Sequence, residues 1–399
     1  MNQLIAITKN TFLQTVRQPV YGIIVLVTLG GLAMSPSITG WTLDDDNKML
    51  RDIGLSTLLI QGLFLACFAA STVLDTEIED KTVLTVAAKP VSRWQFILGK
   101  YLGILGALVA AHYVAGIAFF MTMRHGVLQT ARDTSDPTVL ILGPGVMLIV
   151  LVVAGVMNYL YERRFLPTVF ALALPLLTLS TVILLVVDRD WKLRTFETTQ
   201  TMDNLPQEVT DPAVFKDIIE FRPLPGDSQI QGHRGLLVRK EWKGPINDAD
   251  HDYLINLSSS LQWKRDIDFL VQETRKVQGT EIFKAGVLIL LALAMLAAIA
   301  VAAATRVGVV ATFVICLAAV LTGLTADQII KPIAEAGATW ANVAFHIIPN
   351  FHFFWMVDAL ADNRVIPWSY LGAAAAYGLI YALGTLLLGM ALFETREVG

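Results

Sequence analysis

Long apolar runs alternate with short polar segments along most of the chain. A helix needs about 20 consecutive, mainly apolar residues to cross the hydrocarbon core of a bilayer. Eight runs reach this length, and they predict eight membrane-spanning helices. The predicted spans are Val20–Gly40, Ile53–Leu74, Ile97–Met121, Val139–Tyr161, Phe165–Val187, Ala285–Ala304, Val307–Thr325 and Ile366–Phe393.

One further segment, Ala338–Val357, is nearly long enough to span but is interrupted by polar residues and a proline. Its interrupting residues are His346, Pro349, Asn350 and His352. We interpret it as an amphipathic re-entrant or surface segment on the outer side of the membrane. If it spans instead, the C-terminal sequence "ETREVG" moves to the outside.

The residues before the first span have the pattern of an amphipathic helix. Apolar side chains and one threonine fall near one face of the stretch from Met1 to Gln18. They are Leu4, Ile5, Thr8, Phe12 and Val16. A signal peptide is the alternative, but the stretch before the apolar run is long for one. We therefore predict an interfacial helix that leads into an uncleaved first span.

One large polar region, residues 188–281, separates the fifth and sixth spans. It contains 17 acidic and 13 basic residues, several proline turns and two runs that resemble strands, "GLLVRKEW" and "YLINLSSSLQW". It predicts a small extracytoplasmic α+β or β-rich domain inserted into an all-α polytopic membrane protein. The chain then divides into a first transmembrane part at 1–187, the inserted domain at 188–282 and a second transmembrane part at 283–399.

Composition agrees with a membrane protein. The 399 residues are 55% hydrophobic and 16% charged, whereas soluble domains carry about 25% charged residues. The net charge of −4 gives no reason to expect a nucleic-acid partner. Cys67 and Cys316 both lie within apolar runs, where they are typical of small core residues rather than of a disulfide framework or a metal site.

The distribution of Lys and Arg predicts the orientation. If both termini are cytoplasmic, ten basic residues fall in inner segments and six in short outer loops, as the positive-inside rule requires. The inner residues are Lys9, Arg17, Lys81, Lys89, Arg93, Lys100, Arg163, Arg164, Arg306 and Arg396. The outer residues are Lys48, Arg51, Arg124, Arg132, Lys331 and Arg364. We predict a multi-pass protein of the plasma (inner) membrane with both termini in the cytoplasm.

The sequence lacks the common signatures of catalysis and nucleotide binding. It contains no G-x-x-x-x-G-K-[ST], no H-E-x-x-H and no G-x-S-x-G. Ionisable residues are nearly absent from the interior of the spans, which disfavours an ion-coupled transporter. His112 is the exception, with Gln61 as its nearest polar companion, and we expect it to make a helix-packing hydrogen bond. No catalytic site, metal or cofactor is predicted for this chain.

The segment "DTEIEDKTVLTVAAKPVSRWQFILGKYLG", from Asp75 to Gly103, is unusually charged for a connection between spans. Its acidic residues suggest the first turn of a helix, and Lys89-Pro90 suggests the end of that helix. Ser92 and Gln95 have the spacing of a capping box for the next helix. We interpret residues 75–99 as a helix–turn–helix at the membrane surface. An ordinary solvated connector remains the alternative at this stage.

This segment resembles the cytoplasmic segment of type 2 ABC exporter permeases. In that family an acidic stretch is followed by Lys-Thr, a small apolar run, Pro-Val-Ser-Arg and a Gly-Lys that enters the next span. The matching residues here are Glu79-Asp80-Lys81-Thr82, Val83–Ala88, Pro90-Val91-Ser92-Arg93 and Gly99-Lys100. The N-terminal "AITKNTFLQTVRQPVYGI" is similar to the family's connecting helix, and "IIPNFHFFWMVDAL" to its outer segment before the last span.

The resemblance implies that the chain is the permease subunit of an ATP-binding cassette exporter and works as a dimer. Its coupling helix would dock into a separate nucleotide-binding subunit, which would bind the ATP and Mg²⁺. The second permease would be another copy or a homologue, and lipid would surround the pair. The implied coupling residues are Asp75, Glu77, Glu79, Asp80, Lys81, Thr82, Val83, Val86, Ala87, Lys89, Pro90, Val91, Ser92 and Arg93.

The chain departs from the family by about two extra spans and by the polar region at 188–281. Two other functions therefore stay open. One is a non-transporting ABC complex that passes ATP-driven motion to a partner in the envelope. The other is a membrane receptor or assembly factor without an ATPase. The sequence does not identify a substrate.

Overall fold

A computed structural model describes residues 2–39, 46–79, 92–126, 135–187, 191–193, 219–223, 235–239, 261–357, 360 and 366–394. Ten helical segments and two strands are used below. They are α1 (Asn2–Val16), α2 (Pro19–Thr39), α3 (Asp46–Glu79), α4 (Arg93–His125), α5 (Pro137–Tyr161), α6 (Phe165–Val186), β1 (Ile219–Pro223), β2 (Gly235–Arg239), α7 (Leu261–Ala304), α8 (Val309–Glu335), α9 (Thr339–Ile347) and α10 (Trp368–Glu394).

The eight predicted spans are confirmed as helices. Within the described residues, α2 to α8 and α10 are each long and apolar enough to cross a membrane. Several exceed the span that sequence predicts: α3 has 34 residues and α4 has 33. At a rise of 1.5 Å per residue each is about 50 Å long, against a hydrocarbon core of about 30 Å. Both helices therefore extend beyond the bilayer core.

The fifth element is irregular near its start because of a proline. Asp136 caps it, and its first turn, Pro137–Leu140, is α-helical. A π-helical turn, Ile141–Gly145, follows and contains Pro144, after which the α-helix continues to Tyr161. Proline has no backbone N–H to donate to the carbonyl one turn earlier. The wider π turn accommodates the missing hydrogen bond without ending the helix.

Three spans form the centre of the bundle. Most residues in the apolar windows of α3, α4 and α7 are buried, whereas the other five spans bury a minority of theirs. The peripheral helices display large apolar side chains at high exposure, for example Val27 and Leu148 at 67% and 63%. Contiguous apolar surface of this kind is not expected on a soluble domain. The protein is thus a multi-pass helical membrane protein.

The helices alternate in direction, which gives the bundle two distinct ends. We call the end that holds Ser92, Arg164 and Thr305 the proximal end. There the Phe96 and Phe393 rings stack with centroids 5.7 Å apart, which joins the start of α4 to the end of α10. The opposite, distal end holds the start of α3 and the start of α10. Both chain termini therefore lead from the proximal end.

The predicted α+β or β-rich domain is not supported by the residues that the structure describes between 188 and 281. They contain one antiparallel ladder, in which β1 pairs with β2 from Ile219–Arg239 to Pro223–Gly235. They also contain a single bridge between Val187 and Leu193. A two-stranded ribbon alone is only marginally stable in water. The run "GLLVRKEW" is thus confirmed as a strand only over Gly235–Arg239.

Helix α7 begins well inside this polar region. Its 44 residues run without a break from Leu261 to Ala304, which corresponds to about 66 Å. The end of "YLINLSSSLQW" is therefore helical, not extended as the pattern suggested. The predicted domain boundary after residue 282 falls in the middle of α7. The candidate span occupies only Gly279–Ala304, so the helix continues about 27 Å beyond it at the distal end.

The segment 338–357 folds back against the bundle. It forms the nine-residue helix α9, an extended link and a 3₁₀ turn at Phe351–Phe354. Nine residues reach only about 14 Å, too little to cross a bilayer. Phe351 and Phe354 are each 2% exposed. Gly323 permits this packing, because a Cβ there would lie 2.2 Å from the carbonyl oxygen of Pro349.

Candidate coupling surface

The predicted coupling residues connect two of the three central helices. Helix α3 continues to Glu79, and α4 begins at Arg93. Asp75, Glu77 and Glu79 lie on the last turns of α3, where the structure describes the backbone but not these side chains. The same holds for Arg93 on the first turn of α4. The remaining predicted residues, Asp80, Lys81, Thr82, Val83, Val86, Ala87, Lys89, Pro90 and Val91, lie outside the described residues.

One local expectation for this segment is wrong. Asp75 does not open a new helix, because α3 runs unbroken from Asp46 to Glu79. Asp75, Glu77 and Glu79 therefore lie at the carboxyl end of a helix, where the dipole disfavours negative charge. These three residues therefore do not form the favourable acidic first turn that the pattern suggested. A basic surface on a partner protein would compensate for this unfavourable negative charge.

Ser92 occupies the predicted cap position without making the predicted bond. Its backbone is extended, and its carbonyl accepts hydrogen bonds from the N–H groups of Gln95 and Phe96 at 2.9 and 3.2 Å. Its hydroxyl makes no capping bond and, within the described residues, has no hydrogen-bond partner although it is buried. The helix start is therefore confirmed, and the capping box is not formed.

Helix α1 lies along the first turns of α4 and runs in the same direction. A Cβ at Gly99 would come within 2.7 Å of the Ile7 side chain, and one at Gly103 within 2.5 Å of Thr11. The glycines thus allow the two helices to approach closely. A helix is confirmed at Asn2–Val16, and part of the predicted face packs against the bundle. Val16 is buried as predicted, whereas Ile5 is 60% exposed, and Thr11 and Thr15 are buried although they lie outside the predicted face.

Several contacts near the proximal end join α3 and α4 to their neighbours. The Thr72 hydroxyl donates to the Gln18 side-chain oxygen at 3.0 Å, which links α3 to the start of α2. The Tyr21 hydroxyl donates to the Ala107 carbonyl at 2.8 Å, which links α2 to α4. Lys100 is 1% exposed, with its ammonium 5.5 Å from the Phe96 ring centroid. The two helices that flank residues 80–91 therefore contact α1, α2 and α10 near the proximal end.

The core contains the helix-packing bond expected of His112. Its Nε2–H donates to the Gly286 carbonyl at 3.0 Å, joining α4 to α7. Neither side-chain polar atom of Gln61 has a partner within the described residues, although both are buried. Cys67 and Cys316 are buried free thiols. The described part of the chain contains no group of three or more His, Cys, Asp or Glu side chains that could hold a metal ion.

At the distal end a buried ion pair joins α7 to the start of α10. The Lys284 ammonium donates to Glu281 Oε1 at 2.6 Å and to the Ile366 carbonyl at 2.8 Å. Glu281 Oε2 accepts from the Ile366 N–H at 2.6 Å. The Trp368 ring centroid lies 4.8 Å from the same ammonium. We call these four residues the distal clamp.

A second buried ionic cluster joins α4, α5 and α6 at the same end. Arg124 Nε lies 3.3 Å from Asp136 Oδ2, and its guanidinium also donates to the carbonyls of Leu184 and Val187. Burial raises the pKa of the Asp136 carboxyl. The hydrogen bond from Thr138 and the charge of Arg124 outweigh burial and hold that pKa below its ordinary value.

Sequence reasoning missed both distal clusters. The pattern places Glu281 at the end of the polar region and gives no role to Lys284, although an acidic and a basic residue three apart before an apolar run can form a pair on one helix face. Arg124 was counted as a loop charge. The triplet Asp136-Pro137-Thr138 carried a signal, since aspartate before proline is a typical helix start. No sequence signal pointed to Ile366 as the partner of the first cluster.

The segment 338–357 is held by a third set of polar contacts. The Asn350 amide donates to Asp327 Oδ2 at 3.1 Å, and its oxygen accepts from the His352 N–H at 2.9 Å. The Asn350 N–H donates to the Tyr377 hydroxyl at 2.9 Å. These bonds fix the link between α9 and the 3₁₀ turn against α8 and α10. The segment is therefore a packed part of the bundle.

Comparisons with protein-family models, with curated proteins and with solved structures give no match.

Proposed function

We propose that this chain is the permease subunit of an ATP-binding cassette exporter and couples ATP hydrolysis by a separate subunit to transport. The observation that carries the proposal is the placement of the segment that resembles a coupling helix. It joins the ends of α3 and α4, two of the three most buried spans. Motion imposed there enters the bundle at its centre.

The packing of α1 supports the same role. An amphipathic helix that lies on the membrane without contacting a span does not need glycines in that span. Here α1 is seated on Gly99, at the end of the residues that resemble the coupling motif, and on Gly103 of α4. The first turns of α4 and the N-terminal helix therefore pack together at the proximal end. This packed pair would lie next to a docking ATPase subunit.

The energy source follows from what the sequence lacks. The chain has no phosphate-binding glycine loop, and ionisable residues are nearly absent from the interior of its spans. ATP and Mg²⁺ would therefore be bound by the partner subunit. The exposed apolar faces of the peripheral spans leave room for a second permease, another copy or a homologue, beside surrounding lipid.

A second candidate is favoured by a specific observation at the distal end. Helix α7 passes unbroken from the bundle core to about 27 Å beyond its span, and the distal clamp fixes it to α10 where it leaves the span. A continuous helix can carry motion out of the membrane. The alternative is therefore a non-transporting ABC complex that passes ATP-driven motion to an envelope partner.

Co-purification tests the shared premise of both candidates. A tagged chain, mildly solubilised from its own membrane, is expected to bring down a subunit with a Walker A sequence. Arg93→Glu is expected to reduce the recovered ATPase, because it reverses a charge on the first turn of α4. Arg163→Glu, an exposed residue in another proximal loop, is the matched control and should not. Absence of an ATPase subunit from the wild-type preparation would overturn the proposal.

A further experiment separates the two candidates. Deletion of residues 194–260 removes much of the polar region while leaving the spans in place. A mechanical relay to an envelope partner would lose its cellular activity but keep ATPase activity. An exporter whose path lies within the spans would keep both.

A further inference from the structure

An open groove lies between α1 and α4 at the proximal end, with a volume of about 360 Å³. Five of its lining residues come from α1 and one from α4. They are Leu4, Ile5, Thr8, Lys9, Phe12 and Leu102. All but Lys9 and Thr8 are apolar. The groove is therefore suited to a hydrocarbon chain, with one cation at its border.

The position of the groove places it at the edge of the bilayer. Trp94, 49% exposed, lies two turns before Leu102 on α4, and exposed tryptophan is typical of the interface. Leu102 is itself 36% exposed within the span. Because α1 lies along these turns of α4, the side chains that line the groove are at the same depth as Leu102. The groove thus opens where lipid is the surrounding medium.

The charge of this region favours an anionic headgroup. Residues 2–22 contain Lys9 and Arg17 and no acidic residue. Both cations are exposed, and neither has a hydrogen-bond or ion-pair partner in the described part of the chain. Lysine near a membrane surface is attracted to acidic lipid, and a phosphate would supply the missing partner. A zwitterionic headgroup would gain less from the same cation.

We propose that this groove binds one anionic phospholipid, with an acyl chain in the groove and the phosphate at the Lys9 ammonium. The site does not depend on the proposed exporter function. It would hold α1 against the first turns of α4. A second copy of the chain or a docking protein is the alternative occupant, and neither would distinguish one phospholipid from another.

Native mass spectrometry of the purified full chain tests the proposal with two probes of equal acyl length. These are dioleoyl phosphatidylglycerol and dioleoyl phosphatidylcholine, added in equal amounts. The wild type is expected to retain the anionic lipid about fivefold more than the zwitterionic one, the effect of one favourable lysine. Lys9→Gln should remove that preference. Arg17→Gln, which changes a cation outside the groove, should keep it.

Two further arms identify the role of the acyl chain. Leu102→Gln should lower retention of both lipids, whereas Leu160→Gln, at an exposed proximal position on α5, should not. An excess of inorganic phosphate should leave the lipid bound. Displacement by phosphate would mean an anion site without a lipid chain and would overturn the proposal. Equal retention of the two lipids by the wild type, or equal effects of Lys9→Gln and Arg17→Gln, would do the same.

Discussion

At the scale of single residues, the distal clamp is costly to form because it buries two charged side chains. Glu281 and Lys284 are 6% and 4% exposed, and each also bonds to the backbone of Ile366. Removing two charges from water is costly, so such a pair persists only with close geometry and additional hydrogen bonds. The clamp meets both conditions. Its specific result is a fixed contact between α7 and α10 at the point where α7 leaves its span.

Breaking the clamp from one side should destabilise the protein strongly. Lys284→Met leaves the Glu281 carboxylate buried without its cation, a change that typically costs about 3–5 kcal/mol. Thermal unfolding in detergent would show a large drop in Tm. Lys331→Met, at an exposed position, is the control and should shift Tm little.

The double variant Glu281→Gln/Lys284→Met separates charge from packing. Its neutral amide can still accept from the Ile366 N–H, so part of the lost stability should return. Glu281→Gln and Lys284→Met are also measured singly. If the stability lost in the double variant equals the sum of the two single losses, the account of the clamp as a coupled ion pair is wrong.

The Asp136 cluster predicts a loss of stability in acid. The folded pKa of Asp136 lies below its ordinary value, so the cluster contributes its stability above the unfolded pKa of about 3.9. That contribution is lost as the pH falls through the folded pKa. Asp136→Asn should lower Tm at pH 7, and the gap between it and the wild type should narrow in acid. A gap independent of pH would contradict the assignment.

At the scale of elements, the contact between α1 and α4 sets the geometry of the proximal end. A Cβ at Gly103 would lie 2.7 Å from the Thr8 carbonyl oxygen, a backbone atom that cannot rotate away. Gly116, on the same helix, has no atom within 4 Å of the corresponding Cβ position. Alanine at position 103 therefore tests the close packing of α1 on α4, whereas alanine at position 116 tests helix propensity alone.

Substitution of these two glycines by alanine should have opposite effects. Gly103→Ala forces α1 away and is expected to destabilise by about 1–3 kcal/mol. Gly116→Ala should be neutral or stabilise by up to about 1 kcal/mol, because alanine is the better helix former. Thermal unfolding and limited proteolysis at α1 measure both. Equal effects of the two substitutions would show that α1 is not seated on α4 as described.

The helices could be predicted from sequence because each span is a long apolar run, and the length of such a run is enough to identify a membrane-spanning helix. The continuation of α3 past Asp75 could not, since acidic residues favour a first turn but are tolerated at a last turn when the buried part of α3 extends the helix. The clamp was missed for another reason. Its partner, Ile366, is more than 80 positions away and acts through backbone atoms that carry no sequence signal.

At the scale of the whole molecule, the described contacts join the spans at both ends of the bundle. Buried ion pairs fix α7 to α10 and α4 to α5 and α6 at the distal end. At the proximal end, ring stacking, hydrogen bonds and close helix packing join α1, α2 and α10 to α3 and α4. The proposed ATPase partner would act on the proximal end, where the segment that resembles a coupling helix connects α3 to α4.

Site-specific crosslinking in native membranes tests the coupling role most directly. A photoreactive group is attached to the cysteine of a Thr85→Cys variant, within the segment that resembles a coupling helix. The two native cysteines are buried and are therefore poorly labelled. The same group at Lys192→Cys, an exposed distal position, is the control. The account predicts a crosslink from position 85, but not from 192, to a subunit that carries a Walker A sequence. No such adduct at position 85, or equal adducts at both positions, would contradict it.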